Sequence, residues 1–136
     1  MDKRLALVIV WMGVIFAGSS IPGQELQGIS TPDYILHTAE YAVLGALLGW
    51  WCIFRNRAVS PDPSLFPYPC LILSVLAGSI YGIIDELHQG LVPGRYMDPR
   101  DWAADTVGTF MGAFIVLLMF YCYLKRQNAE KPSAAP

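Results

Sequence analysis

The chain has 136 residues, 54% hydrophobic and 15% charged, with a mean hydropathy of +0.43. Ordinary soluble domains carry about 25% charged residues, so this composition excludes a disordered chain and points away from a water-soluble enzyme. The length fits one domain, and a net charge of -2 from nine basic and eleven acidic residues argues against a nucleic-acid binder held by a general basic surface.

Four apolar stretches follow, each near the roughly 20 residues a helix needs to cross a hydrocarbon core of about 30 Å. Lipid leaves unpaired backbone groups unsatisfied, so the predicted fold is all-α, a compact bundle of four transmembrane helices. The first stretch runs from Leu5 to Ile21 behind Lys3 and Arg4. Its Ala17-Gly18-Ser19 also fits the cleavage site of a secretory signal, although removing it would leave an odd number of spans. The second runs from His37 to Phe54, with Trp50 and Trp51 as an interfacial aromatic belt. Residues 55 to 69 form a connector whose prolines cannot continue a helix. The third, Pro69 to Gln89, and the fourth, Trp102 to Leu124, flank a loop from Gly90 to Asp101. Residues 1–124 thus make the transmembrane domain, and residues 125–136 a disordered cytoplasmic tail.

Lysine and arginine concentrate in short cytoplasmic loops. With the N-terminus inside, Lys3, Arg4, Arg55, Arg57, Lys125, Arg126 and Lys131 are cytoplasmic, leaving only Arg95 and Arg100 outside. Eight acids take the outer side, and only Asp2, Asp62 and Glu130 the inner one, so the small net charge conceals a strong separation. This predicts both termini inside. Cys52, Cys70 and Cys122 fall at cytoplasmic helix ends, where thiols stay reduced, and no disulfide framework is expected.

Three spans carry pairs of small residues four apart: Gly45 and Gly49, Gly78 and Gly82, Gly108 and Gly112. Such pairs let helix backbones approach closely in lipid. At about 100° per residue, Gly78, Gly82, Asp85 and Gln89 share one face with Tyr81 and His88 on its flank. Gly108 and Gly112 share a stripe with Asp101 and Asp105, and His37, Glu40 and Tyr41 sit one turn above Gly45. The three faces therefore predict an outward cluster of His37, Glu40, Asp85, His88, Asp101 and Asp105, the candidate catalytic residues. Glu86, about 100° around from Asp85, is expected to face a neighbouring helix or the headgroup zone.

An ionisable residue deep in a membrane helix costs about 2.5 to 3.5 kcal/mol, which marks the cluster as a functional site. Its position near the outer end lowers that cost and leaves a structural network that sets helix register as the alternative. Asp101 and Asp105, four apart, repel each other, so Arg95 or Arg100, a protonated histidine, a shared proton or a divalent cation must offset them. His37 and His88 beside carboxylates could ligate a metal, yet no HExxH or comparable closed motif occurs, so metal and cofactor stay unassigned. Pro93-Gly94 forms a turn that presents Arg95, whose guanidinium suits bidentate contact with a phosphate or carboxylate; pairing with Asp98 or Asp85 is the competing role. Gln89, Tyr41 and Tyr81 are further substrate-binding candidates, with packing as the competing role of the tyrosines. In an enzymatic version His88 or His37 is a general base oriented by Asp85 or Glu40, and no nucleophile motif supports covalent catalysis.

The pattern Phe16-x-x-Ser19-Ser20-x-Pro22-Gly23, His37-x-x-Glu40-Tyr41-x-x-x-Gly45, Tyr81-Gly82-x-x-Asp85-Glu86-x-His88-Gln89-x-x-Val92-Pro93-Gly94-Arg95, and Asp98 with Asp101-x-x-x-Asp105-x-x-Gly108 resembles the VanZ-like family of small bacterial membrane proteins. A lysine that often precedes the second-span histidine in that family is Tyr34 here. The resemblance implies a multi-pass protein of the bacterial cytoplasmic membrane. Through the family's namesake it also implies a link to low-level teicoplanin resistance, but it implies no reaction.

Two functions remain in view. In one, the outward acidic, histidine and arginine pocket of an envelope protein binds or processes an envelope lipid or lipid-linked cell-wall precursor bearing a phosphate or carboxylate. In the other, the cluster is structural, and the protein is a non-enzymatic membrane partner or small transporter subunit. A proton-coupled carrier fits less well, because no ionisable residue lies between Gly45 and Phe54 or between Pro69 and Gly78 to relay protons.

Overall fold

A computed structural model describes residues 2–26, 32–56 and 67–130, and these form four helices: α1 Lys3–Ser19, α2 Asp33–Asn56, α3 Tyr68–Gln89 and α4 Pro99–Ala129. No strand occurs among the described residues. Asp2 and Asp98 cap α1 and α4, each accepting a hydrogen bond from the backbone amide two residues on, and Pro99 opens α4 where its missing N–H costs nothing. Helix α2 starts at Asp33, one turn before the expected His37. Helix α4 continues past Leu124 to Ala129, which corrects the expectation of disorder from residue 125. Lys125, Arg126 and Gln127 are good helix formers, and their polarity masked the continuation. Most of the Pro-rich connector, with Arg57 and Asp62, and the end of the tail, with Lys131, lie outside the described residues.

Helix α4 packs most extensively on α2 and next on α3, while α1 rests mainly on α2. The glycine faces make these contacts. A Cβ at Gly45 would run into the Thr109 carbonyl, one at Gly108 into that of Thr38 and one at Gly112 into that of Ala42, so α2 and α4 meet backbone to backbone. A Cβ at Gly82 would lie 2.8 Å from Asp105 Oδ2, and one at Gly78 would meet the Thr109 side chain, so α3 meets α4 as closely. Apolar contacts fill in around them: Val8, Ile15, Tyr41, Leu44 and Leu48 join α1 to α2, and Cys52, Ile53, Cys70 and Leu117 close the opposite side.

The distribution of polarity is the reverse of a water-soluble domain. Leu7, Val10, Ile72, Ile80, Leu87 and Ile115 are exposed on outer faces, whereas Asp85, Glu86, Gln89, Asp101 and Asp105 are buried. Helices α3 and α4 are each long and apolar enough to cross a membrane. Helix α1 has 17 residues and α2 includes Asp33, Glu40 and Arg55, and neither meets the same requirement. Two of the four expected spans therefore qualify by length and composition.

Candidate functional site

The site lies where α1 and α3 end and α2 and α4 begin. Beyond α3 the chain turns tightly: Val92 N–H donates to Gln89 O, and Arg95 N–H donates to Val92 O at 3.1 Å across Pro93-Gly94. Gly94 has φ 76°, the left-handed conformation that the third position of a type II turn demands. The turn docks on the segment after α1, where Gly23 N–H donates to Pro93 O at 3.1 Å. A Cβ at Gly23 would collide with the Gly94 carbonyl, so this approach requires glycine.

That turn carries Arg95 back over the helix ends, where its guanidinium donates to Gln89 Oε1 and lies 3.3 Å from Asp33 Oδ2. Arginine can only donate, so Gln89 presents its carbonyl to Arg95 and its amide nitrogen inward. The two amide hydrogens go to Asp85 Oδ2 at 3.1 Å and His37 Nε2 at 3.3 Å. His37 Nε2 is then an acceptor, and Nδ1–H donates to Asp105 Oδ1 at 2.8 Å; this tautomer is assigned from the network. Ser19 Oγ, at the end of α1, donates to Asp85 Oδ2 at 2.8 Å. One continuous chain of hydrogen bonds thus includes a side chain from every helix.

His37 is 4% exposed, Asp85 2% and Asp105 0%, so the network is held away from solvent. It leaves several acceptors over. Asp85 Oδ1, Glu86 Oε1 and Asp105 Oδ2 are buried with no hydrogen-bond partner among the described residues. Glu86 Oε2 accepts from the Asp98 backbone N–H at 2.7 Å, which ties α3 to the start of α4.

Of the expected cluster, His37, Asp85 and Asp105 come together with Gln89 and Arg95. Asp105 is the carboxylate that orients His37, where Asp85 or Glu40 was expected. Glu40 is half-buried on the α1 side, its carboxylate 3.9 Å from a Cβ built on Gly18. His88 also faces α1: Nε2 hydrogen-bonds Ser20 Oγ at 2.9 Å and the ring stacks on Phe16 with centroids 4.2 Å apart. Tyr41 is fully buried, and Tyr81 donates to Met12 O at 2.7 Å. Arg95 pairs with Asp33, not with Asp98 or Asp85. Sequence reasoning missed Ser19 and Asp33 as members of the site, and of its two alternatives for Glu86 the structure shows the one that faces its neighbours.

Beside the network opens a cavity of about 350 Å³ lined by Asp33, Tyr34, Gly94, Arg95, Tyr96, Asp98, Arg100 and Asp101. Asp101 is the one member of the expected cluster that lines it, and Tyr34 stands here where a lysine was the family expectation. The cavity carries both signs of charge. Donor atoms of its Asp33 and Asp101 lie within 4.8 Å of His37, which connects the cavity to the buried network.

Fold and site together define a small all-helical protein with an apolar outer surface, glycine-mediated helix contacts and a buried polar network at one end. Over residues 4–121 the chain matches the family model described as VanZ/LLP1, and it belongs to that family. No curated protein and no solved structure matches it.

Proposed function

We propose that this VanZ/LLP1 protein crosses the cytoplasmic membrane of a bacterial cell four times with both termini inside. Its outward cleft binds the headgroup of an envelope lipid or lipid-linked cell-wall precursor. The observation that carries this reading is the placement of Arg95 between the open cavity and the buried network. A phosphate or carboxylate entering the cavity meets Arg95 and Arg100, while Asp33, Asp98 and Asp101 suit an amine on the same headgroup. The Arg95–Asp33 pair is open to exchange from the Asp33 side, whose side chain is 48% exposed while that of Arg95 is 10% exposed. The apolar outer faces support the membrane setting, since contiguous apolar surface of this kind is a liability in water.

Any chemistry would run through His37. Asp105 holds its ring in the tautomer that a general base needs, and Gln89 covers the basic Nε2. Drawing Arg95 toward a bound anion would release the Gln89 carbonyl and free its amide to leave His37. The family's namesake extends the reading to glycopeptide susceptibility, because a protein holding cell-wall precursors acts on the same surface as such drugs. The test is complementation of a deletion strain, scored for envelope integrity and teicoplanin susceptibility. Arg95→Gln should insert at wild-type level and lose function, and full function in that variant overturns the binding role.

One observation favours a second reading: the network takes a residue from each helix, as a structural pin would. Under that reading the protein is a membrane partner or small transporter subunit. Loss of function in Asp85→Asn then follows loss of stability, and crosslinking traps a larger membrane protein.

A further inference from the structure

We propose that His37, Glu86 and Asp105 bind one divalent metal ion of the manganese to zinc range. One ring nitrogen of His37 and one oxygen from each carboxylate lie within 4.8 Å of one another, and all three residues are buried; an ion there displaces one of the ring's hydrogen bonds, to Asp105 or to Gln89, and makes His37 a ligand instead of a base. Donors on one tetrahedral zinc ion stand about 3.4 Å apart for bonds of about 2.1 Å, so carboxylate rotations of about an ångström draw these atoms onto one ion. One imidazole with two carboxylates suits manganese or zinc, because carboxylates favour the harder ions and imidazole the first-row transition metals.

The unpartnered oxygens point to a ligand independently of the spacing. Glu86 is 6% exposed and Asp105 0%, and each has one buried carboxylate oxygen without a hydrogen bond among the described residues. Such oxygens are costly unless a cation or a donor meets them. Four buried acids crowd this end, yet among the described residues no lysine or arginine pairs with Asp85, Glu86, Asp101 or Asp105, and Arg95 contacts Gln89 and Asp33 instead. A divalent ion supplies positive charge for Glu86 and Asp105 beyond what the one histidine between them can offer. The outer group of Asp33, His37 and Asp101 shares the histidine and borders the cavity, which gives the ion a route inward. This inference does not depend on lipid binding in the cleft.

The test uses purified full-length protein in mild detergent, stripped with EDTA, desalted and titrated with Mn²⁺ or Zn²⁺ alone. Elemental analysis after a second desalting should find about one ion per chain, and the melting midpoint should rise with the ion. Glu86→Gln keeps the side-chain shape and the acceptor for Asp98 while removing a charged ligand, and it should weaken binding by more than about tenfold. Glu25→Gln, an exposed acid on the same side, should bind as wild type. Should Glu86→Gln fail to fold, the wild type decides alone: the electron paramagnetic resonance of its bound Mn²⁺ should carry nitrogen coupling from His37. No ion retained at millimolar metal, no nitrogen coupling, or undiminished affinity in a folded Glu86→Gln overturns the site. Those results would instead mean that protons shared among the acids satisfy the buried oxygens.

Discussion

The two ends of the bundle handle charge in opposite ways. At the basic end, cations stay at the surface and lean on aromatic rings: the Arg4 guanidinium sits 3.9 Å from the Phe54 ring centroid and 5.5 Å from that of Trp50, with Arg55 5.4 Å from Trp51. These contacts suit an interface, where long stems lie along apolar surface and the charged ends reach toward water. At the acidic end, carboxylates are buried in a directional network where each side chain has a neighbour to satisfy or leave unsatisfied. The difference teaches that charge at the first end is replaceable in kind, while at the second the identity and geometry of each group decide the outcome.

Substitutions should reveal that contrast, most severely where the backbones touch. Gly112→Leu places a side chain against the Ala42 carbonyl at the contact that holds both ends together. It should abolish monodisperse protein in mild detergent, as size-exclusion chromatography would show. Next in size is His37→Leu, which leaves Asp105 buried without its partner and should destabilise by about 3 to 5 kcal/mol. Denaturant unfolding should find the double variant His37→Leu with Asp105→Leu less destabilised than that single change, because an unpaired buried acid costs more than its absence. Tyr81→Phe removes only the hydrogen bond to Met12 O, and about 1 kcal/mol should be lost in the same unfolding experiment. Smallest is Arg4→Gln at the basic end, where loss of a half-buried cation–π contact and of the weak pair with Asp2 should cost about 0.5 kcal/mol. A larger loss for Arg4→Gln than for Tyr81→Phe would erase the contrast.

The glycine faces were legible in the sequence because close helix packing imposes a spacing that small residues alone satisfy. The same angular argument placed Asp85 and Gln89 on the α3 face against α4, and the network forms along it. Glu86 stayed open between a neighbouring helix and the headgroup zone because a helical wheel gives an angle but not the number of neighbours. Helix α3 meets both α4 and the loop that precedes it, so a residue about 100° from Asp85 still faces inward. His88, on the flank of that face, goes to α1, a further neighbour of α3 that the wheel does not show. Ser19 carried no periodic signal, and its Ala-Gly-Ser setting read equally well as a cleavage site. The helix ends shifted at Asp33 and Ala129 because apolarity marks the middle of a helix better than its polar extremities.

Native mass spectrometry of protein extracted gently from envelope membranes tests the central claim, that the cleft under Arg95 holds a charged headgroup. The account predicts a retained phosphate- or carboxylate-bearing amphiphile on the wild-type protein and its loss in folded Arg95→Gln. Wild-type protein without such an adduct, or an adduct equally retained by the variant, would contradict it.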